Sequence, residues 1–252
     1  MSVVSFFRSA LAVALAVSFV PPAHAASDAP IKIAFVGDSM ADGLWGAMFR
    51  RLGKDKCLAE KIKLFRKAKN GTGLTRLDQF NWIDEVSSMT DDPAPDVFFG
   101  SFGINDRQGV VDASKARVEY PGPAFDKKYQ GNVQELILAA TSKGAWILIA
   151  GLPIMRDEKP NTDALAKNKL FADAVAALAK PTASYVEPWT AKTPDEFKPY
   201  LPNAANTMVL VRAEDGIHFT GIGYDMVMDH FYTAVIDMIK RRGRDVAAEC
   251  VK

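Results

Sequence analysis

The stretch Ile31-Lys-Ile-Ala-Phe-Val-Gly-Asp-Ser-Met40 decides how the fold of this chain begins. Residues 31–36 form a short apolar run, which is typical of a buried strand, and the run ends at Gly37. From residue 41 to residue 52 apolar side chains recur at helical spacing, and Gly53 follows as a stop signal. We therefore predict a strand over residues 31–36 and a helix over residues 41–52, joined by a tight polar turn.

The same alternation of apolar runs and helical patterns continues to the end of the chain. Four more strands are predicted at residues 62–65, 96–102, 145–150 and 184–186. Four more helices are predicted at residues 79–89, 129–142, 164–179 and 221–239. Strands that alternate with helices form a parallel sheet covered on both faces, with right-handed crossovers. The sequence therefore predicts the α/β class and a three-layer α/β/α sandwich around a parallel five-stranded sheet.

The first 25 residues have the order of a secretory signal peptide. Arg8 precedes an apolar run over residues 10–20, and the small-residue site Ala23-His-Ala25 follows. A membrane anchor is the alternative, but this run is well short of the about 20 apolar residues that a bilayer span needs. We therefore expect cleavage after about Ala25, a periplasmic or secreted mature protein, and no transmembrane segment after cleavage.

Residues 26–252 have the composition of one globular domain. The chain is 48% hydrophobic and 24% charged, and its middle holds no Pro-, Gly- or Ser-rich linker. Removal of residues 1–25 takes away one basic and no acidic residue, which leaves the net charge near zero. A nucleic-acid partner would usually require a basic excess, so we predict none. The two cysteines show no zinc-binding spacing, and no metal or other cofactor is predicted.

Parallel α/β sheets gather their chemistry in the loops at the carboxyl ends of the strands. Ser39 follows the first strand at the start of a helix, where backbone N–H groups favour negative charge. A serine in this place also commonly caps its helix, and this loop alone does not decide between the two roles. After the second strand, Gly71 and Gly73 let the backbone approach a ligand, although a glycine-rich turn is also an ordinary way to leave a strand.

Two further loops hold polar side chains at the same edge. Asn105 follows the third strand, and its amide can either donate hydrogen bonds to an oxyanion or form a plain Asx turn. Asp215 and His218 lie three residues apart before the last helix, where an imidazole and its carboxylate can be delivered to one side. His24 leaves with the predicted signal peptide, and His230 lies within the predicted last helix. His218 is therefore the candidate general base.

Together these four loops resemble the sequence blocks of the SGNH (GDSL-like) hydrolases, over residues 31–239. Gly-Asp-Ser-Met at residues 37–40 resembles the nucleophile block, and Gly73 resembles the glycine block. Gly-Ile-Asn-Asp at residues 103–106 resembles the GxND block, and Asp-Gly-Ile-His at residues 215–218 resembles the DxxH block. In the nucleophile block a methionine replaces the usual leucine, which conserves volume. The GxSxG elbow of the α/β-hydrolases is absent from the sequence, which disfavours that fold.

The resemblance implies a flavodoxin-like sheet and an exported bacterial serine hydrolase that needs no cofactor. It implies that Ser39 is the nucleophile, that His218 is the general base, and that Asp215 orients the imidazole. It also implies an oxyanion hole made of the backbone N–H groups of Ser39 and Gly73 and the side chain of Asn105. The glycine two residues before Gly73 competes with it for this role.

The expected function is the hydrolysis of esters, above all acetyl esters, on cell-envelope or extracellular carbohydrate. The partner would be a small-molecule or polysaccharide ester. A lysophospholipase, thioesterase or O-acetyltransferase of the same fold is the alternative enzyme, and a non-catalytic carbohydrate-binding or assembly protein is the alternative from another class. Trp82 and Phe219 are candidates for stacking on a sugar, and Arg107 and Arg156 are candidates for holding an anionic group. Core packing of the aromatic residues and surface ion pairs of the arginines are the alternatives, and the sequence does not favour binding over them.

The two cysteines are predicted to form a disulfide bond once this fold is assumed. In a flavodoxin-like sheet the first and last helices share one face, and both run away from the active-site rim. Cys57 follows the first helix and Cys250 follows the last, so both are expected at the opposite end of the protein. An exported protein meets the oxidising conditions that such a bond requires.

Overall fold

The structure is a computed structural model that describes residues 29–91, 94–188 and 196–251. The predicted signal peptide, residues 1–25, lies outside the described residues, so its cleavage and the division of the chain at residue 25 remain predictions. Among the described helices, none is both long and apolar enough to cross a bilayer.

The described residues form a central sheet and two small ribbons. In chain order the strands are β1 (Ile31–Gly37), β2 (Ile62–Arg66), β3 (Val97–Ser101), β4 (Val110–Val111), β5 (Arg117–Val118), β6 (Trp146–Ala150), β7 (Ala183–Val186), β8 (Tyr200–Pro202) and β9 (Met208–Leu210). The central sheet has the order β2-β1-β3-β6-β7, and every neighbouring pair is parallel. This is the flavodoxin-like order. The predicted α/β class and five-stranded parallel sheet are confirmed.

Helices cover both faces of the sheet. They are α1 (Ser39–Leu52), α2 (Lys56–Lys61), α3 (Trp82–Ser88), α4 (Pro123–Thr141), α5 (Glu158–Leu178), α6 (Gly221–Arg241) and α7 (Val246–Cys250). Helix α1 packs against α6, whereas α3 packs against α4 and α4 against α5. Because both faces are covered, residues 33–36 of β1 are fully buried, and the apolar run that predicted this strand is explained.

Capping signals set two helix starts that the apolar pattern does not reveal. Helix α4 begins at Pro123 rather than at residue 129, because proline is favoured in the first turn of a helix. Helix α3 begins at Trp82 rather than at residue 79, because the Asn81 side chain caps its first N–H groups. The short helices α2 and α7 and the two ribbons are not predicted by the sequence pattern, since elements of this length do not show a period.

A disulfide bond joins Cys57 in α2 to Cys250 in α7, with the two Cα atoms 5.7 Å apart. Helices α1 and α6 begin at the loops that carry Ser39 and His218, and α2 and α7 follow their other ends. The bond therefore lies at the end of the protein that is opposite to these loops. It connects residues 193 positions apart and ties the last helix to the body of the fold.

Candidate active site

The turn after β1 presents Ser39 at the carboxyl edge of the sheet. Gly37 has a φ of 129°, and a Cβ atom there would lie 1.8 Å from the carbonyl oxygen of Ser101 on β3, so only glycine fits. The backbone N–H of Asp38 donates to the same carbonyl, at 3.1 Å. The Asp38 carboxylate accepts from the N–H of Met40, at 2.9 Å, and caps α1. Capping is therefore carried out by Asp38, which leaves the Ser39 hydroxyl free for another partner.

That partner is His218, which lies 179 residues further along the chain. The Ser39 Oγ atom is 2.7 Å from His218 Nε2, and His218 Nδ1 is 2.6 Å from Asp215 Oδ2. The second oxygen of Asp215 accepts from the backbone N–H groups of Ile217 and His218, at 2.8 and 2.9 Å. The loop thus places carboxylate, imidazole and hydroxyl in one hydrogen-bonded series, which is the geometry that a serine nucleophile and its base require.

The Asp215 carboxylate is suited to hold one tautomer of the imidazole. Partial burial alone would raise the pKa of Asp215, but hydrogen bonds from the His218 ring and from the N–H groups of Ile217 and His218 outweigh burial and lower it to about 2. An ionised Asp215 accepts the Nδ1–H of His218 at neutral pH. In the neutral imidazole with this tautomer, the lone pair of Nε2 faces the hydroxyl of Ser39.

Three groups are predicted to donate hydrogen bonds to an oxyanion, namely the N–H groups of Ser39 and Gly73 and the amide of Asn105, and the structure shows what each of them binds. Within the described residues, the N–H groups of Ser39 and Gly73 meet no acceptor. The Asn105 amide donates one hydrogen to the carbonyl of Thr72, at 2.9 Å, and keeps its second hydrogen available. The segment of Thr72 is also tied to the serine turn, because the N–H of Lys69 donates to the Gly37 carbonyl at 2.8 Å.

Gly73 rather than Gly71 fits the role of the fixed backbone donor. A Cβ atom on Gly73 would lie 2.0 Å from Asp106 Oδ1, whereas Gly71 is exposed and has no atom within 4 Å of a Cβ position. Asp106 is fully buried, and its carboxylate accepts from the N–H groups of Leu74 and Thr75, at 3.0 and 3.1 Å. Close contact with this carboxylate holds the backbone at Gly73 in place.

Two hydroxyl groups complete the bonding of Asp106, and neither has a distinctive sequence signal. The Thr75 hydroxyl donates to Oδ1 at 2.8 Å, and the Tyr129 hydroxyl donates to Oδ2 at 2.7 Å. Burial and the Asp106 charge raise the pKa of Tyr129 well above its usual range, so Tyr129 stays a donor. Tyr129 reads in the sequence as one more apolar position of an amphipathic helix, and only the tertiary contact gives it a polar role.

Asp38 differs from Asp106 in having few donors around its buried carboxyl group. Burial raises the pKa of Asp38 to about 8, the N–H of Met40 opposes this shift, and the nearby charge of Asp106 adds to it. Its Oδ2 atom has no hydrogen-bond partner within the described residues. With this pKa, Asp38 is mainly protonated at neutral pH, so the serine turn carries little negative charge from it.

The prediction that Trp82 and Phe219 stack on a sugar is wrong. Trp82 is fully buried, and its indole N–H donates to the hydroxyl of Thr72 at 2.9 Å. Phe219 is only 6% exposed and packs against the ring of Tyr224 and the guanidinium of Arg212. Both aromatic side chains support the loops of the site from inside because their neighbours fill the space on either side.

The two predicted anion-binding arginines lie in different situations. Arg107 is exposed beside the Asn105 loop, and its role toward a substrate remains a prediction. Arg156 is also exposed, but its Nη1 donates to the carbonyl of Glu214 at 2.7 Å and its backbone N–H donates to the carbonyl of Gly216 at 3.0 Å. These bonds make Arg156 a support of the loop that carries His218. Within the described residues, no group of three or more acidic, His or Cys side chains is placed to hold a metal ion.

A protein-family model described as a protein of unknown function (DUF459) matches residues 32–234, which is most of the chain. This chain belongs to the DUF459 family. The matched residues of this DUF459 protein run from β1 into α6 and include all four loops of the site. Comparison with curated protein sequences finds no significant match.

The fold of this DUF459 protein is similar to solved structures of SGNH-type esterases and lipases. An acetyl-xylooligosaccharide esterase from Geobacillus shares 17% identity, with 83% of this chain and 96% of that chain covered and a TM-score of 0.57. A carbohydrate esterase of family 3 from Talaromyces cellulolyticus shares 14% identity over 84% and 99% of the two chains, with a TM-score of 0.56. A GDSL-like lipase from Bacteroides thetaiotaomicron shares 14% identity over 81% and 87%, with a TM-score of 0.51. At these identities the likeness confirms the SGNH-like fold, and the chemistry has to be argued from the site.

Proposed function

We propose that this DUF459 protein is a serine hydrolase that cleaves carboxylic esters through an acyl-enzyme on Ser39. The observation that carries the proposal is the series of hydrogen bonds from the Ser39 hydroxyl through His218 to Asp215, at 2.7 and 2.6 Å. A histidine with only a structural role does not require a serine hydroxyl at Nε2 together with a carboxylate at Nδ1, whereas a general base for serine requires both. The fold shared with esterases and lipases supports the same reaction class.

The first half of the reaction forms the acyl-enzyme. His218 Nε2 takes the hydroxyl proton as the oxygen of Ser39 attacks the ester carbonyl carbon, and Asp215 stabilises the imidazolium that results. The carbonyl oxygen becomes an oxyanion that accepts hydrogen bonds from the donors around Ser39. Collapse of this intermediate breaks the bond to the alcohol oxygen, which receives the proton from His218.

The second half releases the acid and restores the enzyme. Water attacks the ester on Ser39 while His218 takes one of its protons, and the proton then returns to the Ser39 oxygen as the acyl group leaves. The N–H groups of Ser39 and Gly73 and the amide of Asn105 hold the oxyanion in both halves. If a sugar hydroxyl replaced the water, the same intermediate would transfer its acyl group, so O-acetyl transfer remains the alternative outcome.

For the substrate we propose an acetyl ester on cell-envelope or extracellular carbohydrate. Two structures with the same fold are named as a carbohydrate esterase and an acetyl-xylooligosaccharide esterase. The side chains of His218 and Asp215 are 30% and 46% exposed, and such an open site can accept a small acyl group that is attached to a large polymer. A lysophospholipase or thioesterase would instead need to cover a long acyl chain.

Fluorophosphonate labelling and ester turnover test the proposed reaction. Purified protein lacking residues 1–25 should label at Ser39 and hydrolyse p-nitrophenyl acetate, and the Ser39→Ala variant should do neither. Turnover should fall as the acyl chain of the nitrophenyl ester lengthens, and acetylated oligosaccharides should release acetate. Absence of labelling in the folded wild type would instead favour the non-catalytic carbohydrate-binding protein.

Export is part of the proposal and has its own test. The predicted cleavage after about Ala25 places the mature protein in the periplasm or outside the cell. Mass spectrometry of the protein recovered from cells that express the full chain should give an N-terminus close to residue 26. Recovered protein that still contains residues 1–25 would contradict the predicted cleavage and would favour the membrane anchor.

A further inference from the structure

Arg212 is a buried cation that lies between β9 and the loop of residues 213–218, here called the histidine loop, which carries Asp215 and His218. Only 6% of the residue is exposed, and within the described residues no carboxylate lies within ion-pair distance of it. A buried charge is costly unless other groups compensate it. Burial lowers the pKa of Arg212 to about 10, and the charge of Asp215 opposes that shift, so the guanidinium stays protonated at neutral pH.

Backbone carbonyl groups take the place of a carboxylate around this guanidinium. Nη2 donates to the carbonyls of Ile217 and Gly216, at 2.8 and 3.4 Å, and Nε donates to the carbonyl of His218 at 3.3 Å. Nη1 donates to the carbonyl of Ile154, at 2.6 Å. Three of these four carbonyls belong to consecutive residues of the loop that ends at His218.

Two aromatic rings lie against the same guanidinium. The Arg212 Cζ atom is 4.4 Å from the ring centre of Phe219 and 4.8 Å from that of Phe197. Cation–π contacts of this kind stabilise a desolvated guanidinium. The planar group is therefore held in one orientation, with its N–H groups directed at the carbonyls at its edge.

Within the histidine loop, the Asp215 carboxylate accepts from two N–H groups, and the N–H of Ala213 donates to the carbonyl of His218 at 2.9 Å. These bonds shape the loop itself but do not join it to another element. Asp215 and His218 are 46% and 30% exposed, so packing in the core does not fix them. The carbonyl of Ile154 brings the loop between β6 and α5 to the same cation, and that loop also donates the N–H of Arg156 to the carbonyl of Gly216. Arg212 thus joins two loops at the backbone of His218.

We propose that Arg212 is a positioning residue for the proposed esterase reaction. By binding the carbonyls of residues 216–218, it fixes the backbone of His218 so that Nε2 remains 2.7 Å from the oxygen of Ser39. Misplacement of a general base by about 1 Å can cost two orders of magnitude in rate. The inference rests on the proposed function, because positioning has a measurable consequence only if His218 acts on Ser39.

The test compares Arg212→Met and Arg212→Lys with the wild type in p-nitrophenyl acetate hydrolysis. Methionine keeps an apolar stem against the two rings but donates nothing, and lysine keeps the charge without the planar set of donors. We expect kcat to fall on the order of 100-fold in Arg212→Met and on the order of 10-fold in Arg212→Lys. KM should stay within about threefold, because Arg212 does not touch the substrate. Methylguanidinium, compared with sodium chloride at equal ionic strength, should restore part of kcat in Arg212→Met.

Arg242→Met is the matched control. Arg242 also donates to a backbone carbonyl, that of Gly144 at 2.6 Å, and it binds the carboxylate of Asp96 at 2.9 Å. It follows the last residue of α6, whereas His218 precedes the first, so the two are about 30 Å apart along this helix. We expect Arg242→Met to lower the melting temperature and to leave kcat unchanged.

The possible results separate this inference from the proposed function. If the wild type neither labels with fluorophosphonate nor turns over ester, the proposed function is wrong. If the wild type is active and folded Arg212→Met keeps its kcat, or loses it only as much as Arg242→Met does, the positioning role is wrong. Loss of kcat without any response to methylguanidinium would also contradict it. If Arg212→Met does not fold, the kcat of folded Arg212→Lys decides, and a wild-type value overturns the inference.

Discussion

The turn that carries Ser39 and the loop that carries His218 meet at 2.7 Å, but different forces hold them. The serine turn lies on the buried strand β1, and its path is forced by the contact of Gly37 with β3. The histidine loop, residues 213–218, is partly exposed, and hydrogen bonds hold its backbone. They come from Arg212, from the N–H of Ala213 to the carbonyl of His218, and from two N–H groups of the loop to the Asp215 carboxylate. One half of the site is therefore fixed by packing and the other half by polar contacts.

This difference bears on how each half responds to substitution. Close packing leaves the serine turn few alternative conformations, so a change there should affect folding and the site together. Hydrogen bonds to an exposed loop add little to global stability, yet they decide where the imidazole lies. Substitutions around the loop that carries His218 should therefore lower activity with little loss of stability. Substitutions in the turn that carries Ser39 should lower both.

The largest expected effect comes from removing either partner of the bond between the two halves. Ser39→Ala and His218→Ala should each lower kcat for p-nitrophenyl acetate by about 10⁴-fold or more, and the double variant should lose no more than either single variant, since the residues act as a unit. Circular dichroism should show that each variant stays folded. Full turnover in Ser39→Ala would end the assignment of the nucleophile.

The second-largest effect is expected from the disulfide bond between Cys57 and Cys250, which lies at the end of the protein opposite to the candidate active site. Its removal should change stability and leave activity unchanged. Replacing both cysteines, Cys57→Ser and Cys250→Ser, should lower the free energy of unfolding by up to about 5 kcal/mol, because the bond constrains a very long loop in the unfolded chain. Urea unfolding measures this loss, and kcat should stay at the wild-type value. Two free thiols in non-reducing mass spectrometry of exported protein would contradict the bond.

A smaller effect is expected from the amide of Asn105, which we propose as an oxyanion donor. Asn105→Ala should raise the barrier of ester turnover by about 3–4 kcal/mol, which corresponds to a loss of kcat of about 10²–10³-fold, because one oxyanion donor is removed. Asn203→Ala is a control, since Asn203 lies in the turn between β8 and β9 and accepts from the N–H groups of Ala205 and Thr207 at 2.9 and 3.0 Å. The control should lose stability and keep kcat. Equal kcat in the two variants would remove Asn105 from the oxyanion hole.

The smallest expected effect is a pH dependence of the free energy of unfolding, which arises from Asp38 in the turn that carries Ser39. With its pKa raised from 3.8 to about 8, Asp38 keeps its proton in the folded protein at a pH where the unfolded chain has lost it. The free energy of unfolding should therefore fall as the pH rises from about 4 to about 8. Asp38→Asn lacks this titration, so between pH 5 and pH 8 its stability relative to the wild type should rise by on the order of 1–4 kcal/mol.

Urea unfolding of both proteins at pH 5 and pH 8 measures this difference. Asp55→Asn is the matched control, because Asp55 also caps a helix, α2, but lies exposed to water. The free energy of unfolding of Asp55→Asn should differ from that of the wild type by the same amount at pH 5 and at pH 8. If Asp38→Asn behaves like Asp55→Asn, Asp38 is ionised in the folded protein and its buried carboxyl group carries a charge.

The sequence predicts the sheet and the loops of the site because their signals are local. The strands appear as apolar runs since a central parallel strand is buried on both faces, as residues 33–36 are. Ser39 directly follows the first of those runs, and Asn105 follows the third, so the rule for parallel sheets places both at one edge. Asp215 and His218 come instead before the last helix, and their spacing together with the shortage of other histidines singles them out. The roles of Ser39, Asp215 and His218 stay predictions until activity is measured.

The errors occur where a role depends on contacts between distant segments. Trp82 and Phe219 lie near the predicted rim in the sequence, but neighbours on other elements enclose both side chains. The polar role of Tyr129 is not predicted for the same reason, since its partner, the Asp106 carboxylate, is 23 positions away. Arg212 is not predicted either, because one of its partners, the carbonyl of Ile154, is 58 positions away and the others are backbone groups, which have no sequence signal. Neither the spacing of residues along the chain nor the amino-acid composition indicates such hydrogen bonds.

The sequence by itself therefore determined the order of the five sheet strands and of the helices α1, α3, α4, α5 and α6. It also determined the set of groups that can meet at one edge, because periodicity and turn residues act over a few neighbouring positions. Tertiary structure alone decided which side chains are exposed at that edge, which carbonyls surround Arg212, and how close Ser39 lies to His218. Burial and hydrogen-bond distance arise from the packing of segments far apart in the chain, and local patterns do not contain them.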